Sequence, residues 1–151
     1  MSTVVRLHRD LPAPPDKVYR AWLDPDLLRR WMAPGGLAVT RAEVEPRVGG
    51  RYRIWHDDAG TDVGGFDCEI VELEQDRRIV WRWGFVGPRR ETEPRFDSLL
   101  TVTLAGNPAG GTALTLVHER LDDLAAALPQ VAGGVGAGWA SALDKLAEVA
   151  A

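Results

Sequence analysis

Residues 3–31, TVVRLHRDLPAPPDKVYRAWLDPDLLRRW, contain the succession of elements that decides the fold. Apolar and polar residues alternate over Thr3–Leu11, which is typical of a strand with one buried face. Three prolines follow, and proline is favoured in the first turn of a helix because its missing N–H is not needed there. Asp24-Pro25 repeats this signal after a helical pattern over Asp16–Leu23. We therefore predict one strand and then two short helices, the second ending near Trp31.

The middle of the chain changes to a period of two, interrupted by turns rich in glycine, proline and aspartate. Connections this short leave no room for crossover helices, so neighbouring strands must be mostly antiparallel. The predicted strands are Leu37–Glu45, Arg51–His56, Phe66–Leu73, Ile79–Val86, Phe96–Leu104 and Thr112–Glu119.

The tail from Leu121 to Ala151 returns to a helical pattern, with Trp139, Leu143 and Leu146 on one face. The order predicts an α+β domain over residues 1–151, in which a long C-terminal helix covers a curved antiparallel sheet. A helix is only about 10 Å across with its side chains. We therefore expect an apolar pocket where the helix and the sheet diverge.

Four glycines stand at the start of this helix, in the segment VAGGVGAG over residues 131–138. Each glycine costs about 1 kcal/mol relative to alanine inside a helix, so the first half of the helix should be frayed, bent or mobile. This segment is interpreted either as a gate or as extra room for a ligand. The alternative is close packing or drift without a functional role.

The composition is that of a cytoplasmic protein: 45% of residues are hydrophobic, 26% are charged and the net charge is −4. No basic stripe indicates nucleic acid as a partner, and no apolar run predicts a membrane span. The single cysteine, Cys68, cannot form an internal disulfide, which is typical of a reducing compartment. The oligomeric state is expected to be a monomer or a homodimer.

Several segments, in the same order, resemble the START-like or SRPBCC superfamily, which shares the helix-grip fold of the birch pollen allergen. Within it the chain is similar to the family named after the activator of the Hsp90 ATPase. The resemblance implies the helix-grip fold, and because the similar residues have architectural roles, it is informative about the fold far more than about chemistry. The similar segments are residues 9–19 (RDLPAPPDKVY), 24–31 (DPDLLRRW), 43–52 (EVEPRVGGRY), 78–83 (RIVWRW), 111–119 (GTALTLVHE) and 138–139 (GW), with Leu143 and Leu146.

Signals for catalysis are weak. The three histidines are far apart and none has the spacing of metal ligands, so neither a metal nor another cofactor is expected. His56 and His118 either face the pocket as acid–base groups or bond to backbone or water at strand ends. Cys68 is expected to face the core, where apolar surroundings raise the pKa of a thiol and make it inert. The serines lack a nucleophile elbow.

Arg9 stands on the apolar face of the first strand, where a lone charge is costly. It is interpreted either as a cation at the pocket mouth that holds a ligand's carboxylate or as the partner of an acid such as Glu43 or Glu69.

The preferred hypothesis is a binding module for a small hydrophobic molecule. A cyclase-, aromatase- or hydrolase-like enzyme that uses the same cavity is the alternative. A chaperone-interacting module ranks last, because the N-terminal domain that accompanies that role has no counterpart in these residues. The predicted ligand-binding residues are Arg9, Trp55, His56, Phe66, Trp81, Trp83, Phe85, Leu100, Leu116, His118, Trp139 and Leu143.

Overall fold

The computed structural model describes residues 4–150, and its strands follow the predicted order. They are β1 (Val5–Leu11), β2 (Ala38–Val44), β3 (Arg51–Asp58), β4 (Thr61–Glu74), β5 (Arg78–Val86), β6 (Phe96–Gly106) and β7 (Thr112–Glu119). They form one antiparallel sheet in the spatial order β1-β7-β6-β5-β4-β3-β2. Thr3 and Ala151, the ends of the predicted first strand and of the predicted tail helix, lie outside the described residues.

Two short helices follow β1, as predicted. These are α1 (Pro15–Leu23) and α2 (Pro25–Trp31), and each begins at a proline. Asp24 caps α2 by accepting a hydrogen bond from the backbone N–H two residues on, at 2.9 Å. Trp31 Nε1 donates to the carbonyl of Ala21 at 2.9 Å, which ties the second helix to the first.

The single long helix predicted for the tail is wrong in its first half. The tail consists of α3 (Asp122–Ala127), α4 (Pro129–Gly133) and α5 (Val135–Val149). Leu128 leaves the helical conformation, with φ −136° and ψ 71°, and a proline then begins α4. Proline cannot donate the backbone hydrogen bond that would continue α3, and Gly134 separates α4 from α5. The glycine-rich segment is therefore interrupted at Gly134, between α4 and α5.

A pair of glycines, Gly64 and Gly65, shapes the N-terminal part of β4. The β3–β4 register shifts between His56 and Asp57, opposite Gly64. Gly64 has φ +96°, and a side chain there would run into the backbone carbonyl of Val86. Gly65, the next residue, lies in the wall of the cavity described below.

An aromatic core in the interior is formed by Trp22, Tyr52, Trp81 and Trp139. The Trp22 ring centroid lies 5.4 Å from that of Trp81 and 5.8 Å from that of Trp139. The Tyr52 hydroxyl donates to the carbonyl of Trp22 at 2.6 Å. These contacts join α1, the inner face of the sheet and α5, so the aromatic core holds the C-terminal helix onto the sheet.

Candidate ligand cavity

A cavity of about 640 Å³ lies between the inner face of the sheet and the C-terminal helices. Aromatic side chains of β4, β5 and β6 form its sheet side. Mostly small or aliphatic residues of α3, α4 and α5, together with Gln130 and Trp139, form its helix side. Three of the apolar residues that line the cavity are also exposed to solvent: Val63, Leu128 and Val131. The cavity is therefore enclosed mainly by carbon and is bordered by exposed apolar surface.

Five of the predicted ligand-binding residues line this cavity: His56, Phe66, Trp83, Phe85 and Trp139. They come from three strands and one helix, and strand parity brings them together. Their contact with a ligand stays a prediction.

Trp55 does not line the cavity, because adjacent residues of a strand point to opposite faces. Ile54 and His56 face inward and are buried, so Trp55 lies on the outer face. There its ring packs between two guanidinium groups, with Arg41 Cζ at 4.9 Å and Arg90 Cζ at 4.1 Å from the ring centroid. Its role is a cation–π contact on the outside of the sheet.

Four other predicted residues lie in the solid core and not in the cavity wall. Trp81, Leu100, Leu116 and Leu143 face inward as predicted, but each is fully buried against other side chains. Parity identifies the inner face of the sheet, whereas it does not distinguish the packed part of that face from the open part.

His118 also lies outside the cavity wall, in a chain of hydrogen bonds. Trp139 Nε1 donates to His118 Nδ1 at 3.0 Å. His118 Nε2 lies 2.7 Å from Ser98 Oγ, which donates to the carbonyl of Trp83 at 2.8 Å. Since Nδ1 accepts, Nε2 must carry the proton of the neutral ring and donate to Ser98. This direction excludes His118 as a base that activates Ser98, and burial lowers the pKa of His118 to about 3.

Arg9 does not stand at the mouth of the cavity. Its side chain is directed toward α5, where Nε lies 4.0 Å from a carboxylate oxygen of Asp144, and it donates to the carbonyl of His8 at 2.9 Å. The expectation of an acidic partner is thus met by Asp144, and neither Glu43 nor Glu69 takes that role. Asp144 is distant in sequence, which is why strand parity alone did not identify it.

His56 presents a polar atom at one side of the cavity. Its Nε2 lies 2.7 Å from the carbonyl of Met32, and a carbonyl only accepts, so Nε2 carries a proton. Burial lowers the pKa of His56, and the charges of Arg90 and Lys145 act in the same direction against the Met32 hydrogen bond. The ring is therefore neutral near pH 7, and Nδ1 keeps its lone pair.

Glu93 and Gln130 are polar cavity residues that the sequence analysis missed. Glu93 belongs to the charged loop between β5 and β6, where neither a period nor a motif distinguishes one acid from another. Its carboxylate lies against the backbone of Gly87, at a point where even a methyl group on that glycine would collide with it. Gln130 lies in α4, a short helix that the sequence analysis treated as part of one continuous tail helix.

Other chemistry is weakly represented. Cys68 is buried, and desolvation raises the pKa of its thiol far above the usual range, as predicted. Within residues 4–150, no group of three or more histidine, cysteine or acidic side chains is placed to hold a metal ion. No helix of the same residues is long and apolar enough to cross a bilayer.

An antiparallel sheet curved around C-terminal helices, with two short helices after β1, is the helix-grip fold of START-like proteins. The family model described as "Activator of Hsp90 ATPase homolog 1-like protein" matches residues 12–151, and the chain belongs to this family. A search of curated proteins finds no significant match.

Solved structures share this fold. Protein CV1439 from Chromobacterium violaceum is 32% identical with a TM-score of 0.75, over 97% of this chain and 96% of that one. Protein Ms6760 from Mycobacterium smegmatis has a TM-score of 0.79 at 23% identity, over 97% of this chain and 89% of that one.

A third similar structure is larger than this chain. DynU16, described as a putative protein in the dynemicin biosynthetic locus, is 26% identical with a TM-score of 0.68. The match covers 96% of this chain and 46% of that protein. The present chain thus spans less than half of DynU16.

Proposed function

We propose that this protein binds a small, largely apolar molecule in the cavity between the sheet and the C-terminal helices. The observation that carries the proposal is the cavity itself, about 640 Å³ in volume and walled by aromatic and aliphatic side chains. Cavities of this size with a few polar groups are typical of small-molecule sites. Filling one with an apolar ligand stabilises the complex by about 25 cal/mol for each Å² removed from water.

The surface around the cavity supports the same function. Val63, Leu128 and Val131 are large apolar residues that remain substantially exposed at the cavity. Contiguous exposed apolar surface commonly marks binding sites. Leu128 also stands at the break between α3 and α4, so small movements of these helices would change access to the cavity.

Binding can be tested with N-phenyl-1-naphthylamine, a neutral dye that emits strongly in apolar surroundings. We expect saturable emission and a single bound dye in native mass spectra. Ala142→Phe places a ring into the cavity from α5, because Ala142 is buried and lines it, and should weaken binding at least tenfold. Ala137→Phe is the matched control, since Ala137 is exposed on the same helix away from the cavity. Absence of dye binding, or equal binding by both variants, would contradict the proposal.

A second candidate is proton-transfer catalysis on the bound molecule, favoured by the neutral His56 ring in an apolar wall. A general base in such surroundings can be tested with 5-nitrobenzisoxazole. His56 Nδ1 would take the ring C–H proton while the N–O bond breaks, giving a coloured cyanonitrophenolate. Turnover that is lost in His56→Gln and retained in His8→Gln would support this candidate. Equal rates in the two variants would reject it.

A further inference from the structure

The polar groups that line the cavity differ in what they offer a ligand. His56 Nε2 is already used by the carbonyl of Met32. His56 Nδ1 is neither bonded to a described residue nor among the fully enclosed polar atoms that lack a partner. Because the neutral ring carries only one proton, Nδ1 is a hydrogen-bond acceptor open to the cavity.

Glu93 adds a second acceptor. It is half-buried in the cavity wall, and none of the ion pairs among residues 4–150 involves it. An ionised carboxylate only accepts hydrogen bonds. Glu93 is also the one charged side chain among the described residues that line the cavity. The cavity therefore carries one negative charge and no positive charge in its wall.

The two cations whose charges act on His56, Arg90 and Lys145, are bonded to other groups. Arg90 donates to the carbonyls of Ile54 and Phe66 and packs on Trp55. Lys145 donates to the carbonyls of Ala33 and Gly35 at 2.7 and 2.8 Å.

The other polar side chains of the cavity wall do not change this excess of hydrogen-bond acceptors over donors. Trp83 Nε1 lacks a partner but is fully enclosed, so it offers no donor to the cavity. Gln130 is exposed, and its amide can accept as well as donate.

We propose that the cavity selects apolar molecules that carry a hydrogen-bond donor, a hydroxyl or an amine, and rejects carboxylates. The donor pairs with Glu93 or His56 Nδ1 while the apolar body fills the aromatic part of the cavity. A ligand carboxylate would face an acceptor and a like charge, without a cation to pair with it. This inference rests on the proposed function and specifies its substrate class.

The test compares four ligands with one ring system: naphthalene, 2-naphthol, 2-methoxynaphthalene and 2-naphthoic acid. Each competes with N-phenyl-1-naphthylamine at pH 7. We expect 2-naphthol to bind about tenfold more tightly than its methyl ether, equivalent to one good hydrogen bond, and the acid to bind most weakly. 2-Naphthylamine then shows whether an amine serves as well as a hydroxyl.

The outcomes separate the inference from the function on which it rests. If the dye binds but the acid competes as well as 2-naphthol, or if none of the four competes, the donor preference is overturned and the apolar cavity stands. If the dye itself fails to bind, the proposed function fails and the inference fails with it.

Two variants test whether the charge of Glu93 causes the rejection of carboxylates. Glu93→Gln should strengthen binding of 2-naphthoic acid several-fold, because it removes the like charge, and should leave naphthalene binding unchanged. Glu91→Gln is the matched control, an exposed acid of the same loop outside the cavity wall, and should change neither affinity. Equal effects of the two variants would overturn the assignment to Glu93.

Discussion

The inner face of the sheet has two halves that the chain covers in different ways. In one half, α1, α2 and α5 press on the sheet, and the aromatic core fills the space between them. In the other half, α3, α4 and the glycine-rich start of α5 leave a cavity of about 640 Å³. Trp139 stands at the boundary, since it belongs to the aromatic core and also lines the cavity. One sheet thus supports a packed half and a half with an open cavity.

The helix-segment glycines of the open half are not required by close packing. A methyl group at Gly136 would meet Val5 at an ordinary distance of 3.7 Å, and one at Gly133 would meet nothing within 4 Å. Gly64, in contrast, has a positive φ and lies against backbone. The interpretation of the helix glycines as close-packing positions is therefore wrong for Gly133 and Gly136. Their use as a gate stays a prediction.

The largest contrast between the halves is expected from two leucine truncations. Leu100→Ala removes a fully buried side chain from the packed half and should lower the free energy of unfolding by about 2–5 kcal/mol. Leu128→Ala makes the same change at the exposed edge of the cavity, where the effect should be about 0.5 kcal/mol or less. Urea denaturation measures both. Similar losses would show that the two halves are not packed differently.

A second contrast concerns pH and the hydrogen-bonded chain of His118. Because burial lowers the pKa of His118 to about 3, the unfolded chain binds a proton below pH 6.5 that the folded protein does not. The contribution of the neutral His118 ring to the free energy of unfolding is fully present above pH 6.5. As the pH falls from 6.5 toward 3, the free energy of unfolding should decrease by about 1.4 kcal/mol per pH unit. His56, whose pKa is also lowered, acts in the same direction.

Denaturation at a series of pH values measures this slope. His118→Gln should reduce it below pH 6.5, whereas an unchanged slope would show that His118 titrates alike in both states.

The smallest expected effect is that of a helix glycine, and a glycine of β4 provides the contrast. Gly136→Ala should raise the free energy of unfolding by about 0.5 kcal/mol, because Gly136 stands in the first turn of α5, alanine favours the helix and the added methyl group fits. Gly64→Ala should lower it, since its backbone conformation and neighbours exclude a side chain. Thermal unfolding of both variants checks the signs. A destabilising Gly136→Ala would indicate that the helix glycine is needed for packing.

The sequence was sufficient for the order of the strands and of the first two helices because periods of two and 3.6 are local signals. The same parity placed Phe66 and Trp83 in the cavity wall. It cannot place both Trp55 and His56 there, since neighbours on a strand face opposite sides. Pro129 begins α4 as Pro25 begins α2, so the break between α3 and α4 could have been predicted from the sequence.

Tertiary contacts explain the remaining errors. Arg9 meets Asp144 and His118 meets Trp139 only because α5 lies across the sheet. Glu93 stands in a loop, where a position in space has no periodic signature. Contacts between distant segments decide which inward residues are packed and which are open.

The most direct test of the open half is a crystal structure of the protein soaked with 4-iodophenol, a small apolar donor whose iodine gives anomalous signal. The account predicts an iodine peak inside the cavity bounded by Phe66, Trp83 and Trp139, with the hydroxyl toward Glu93 or His56. Iodine found only on the outer surface, with the cavity collapsed or filled by protein side chains, would contradict it.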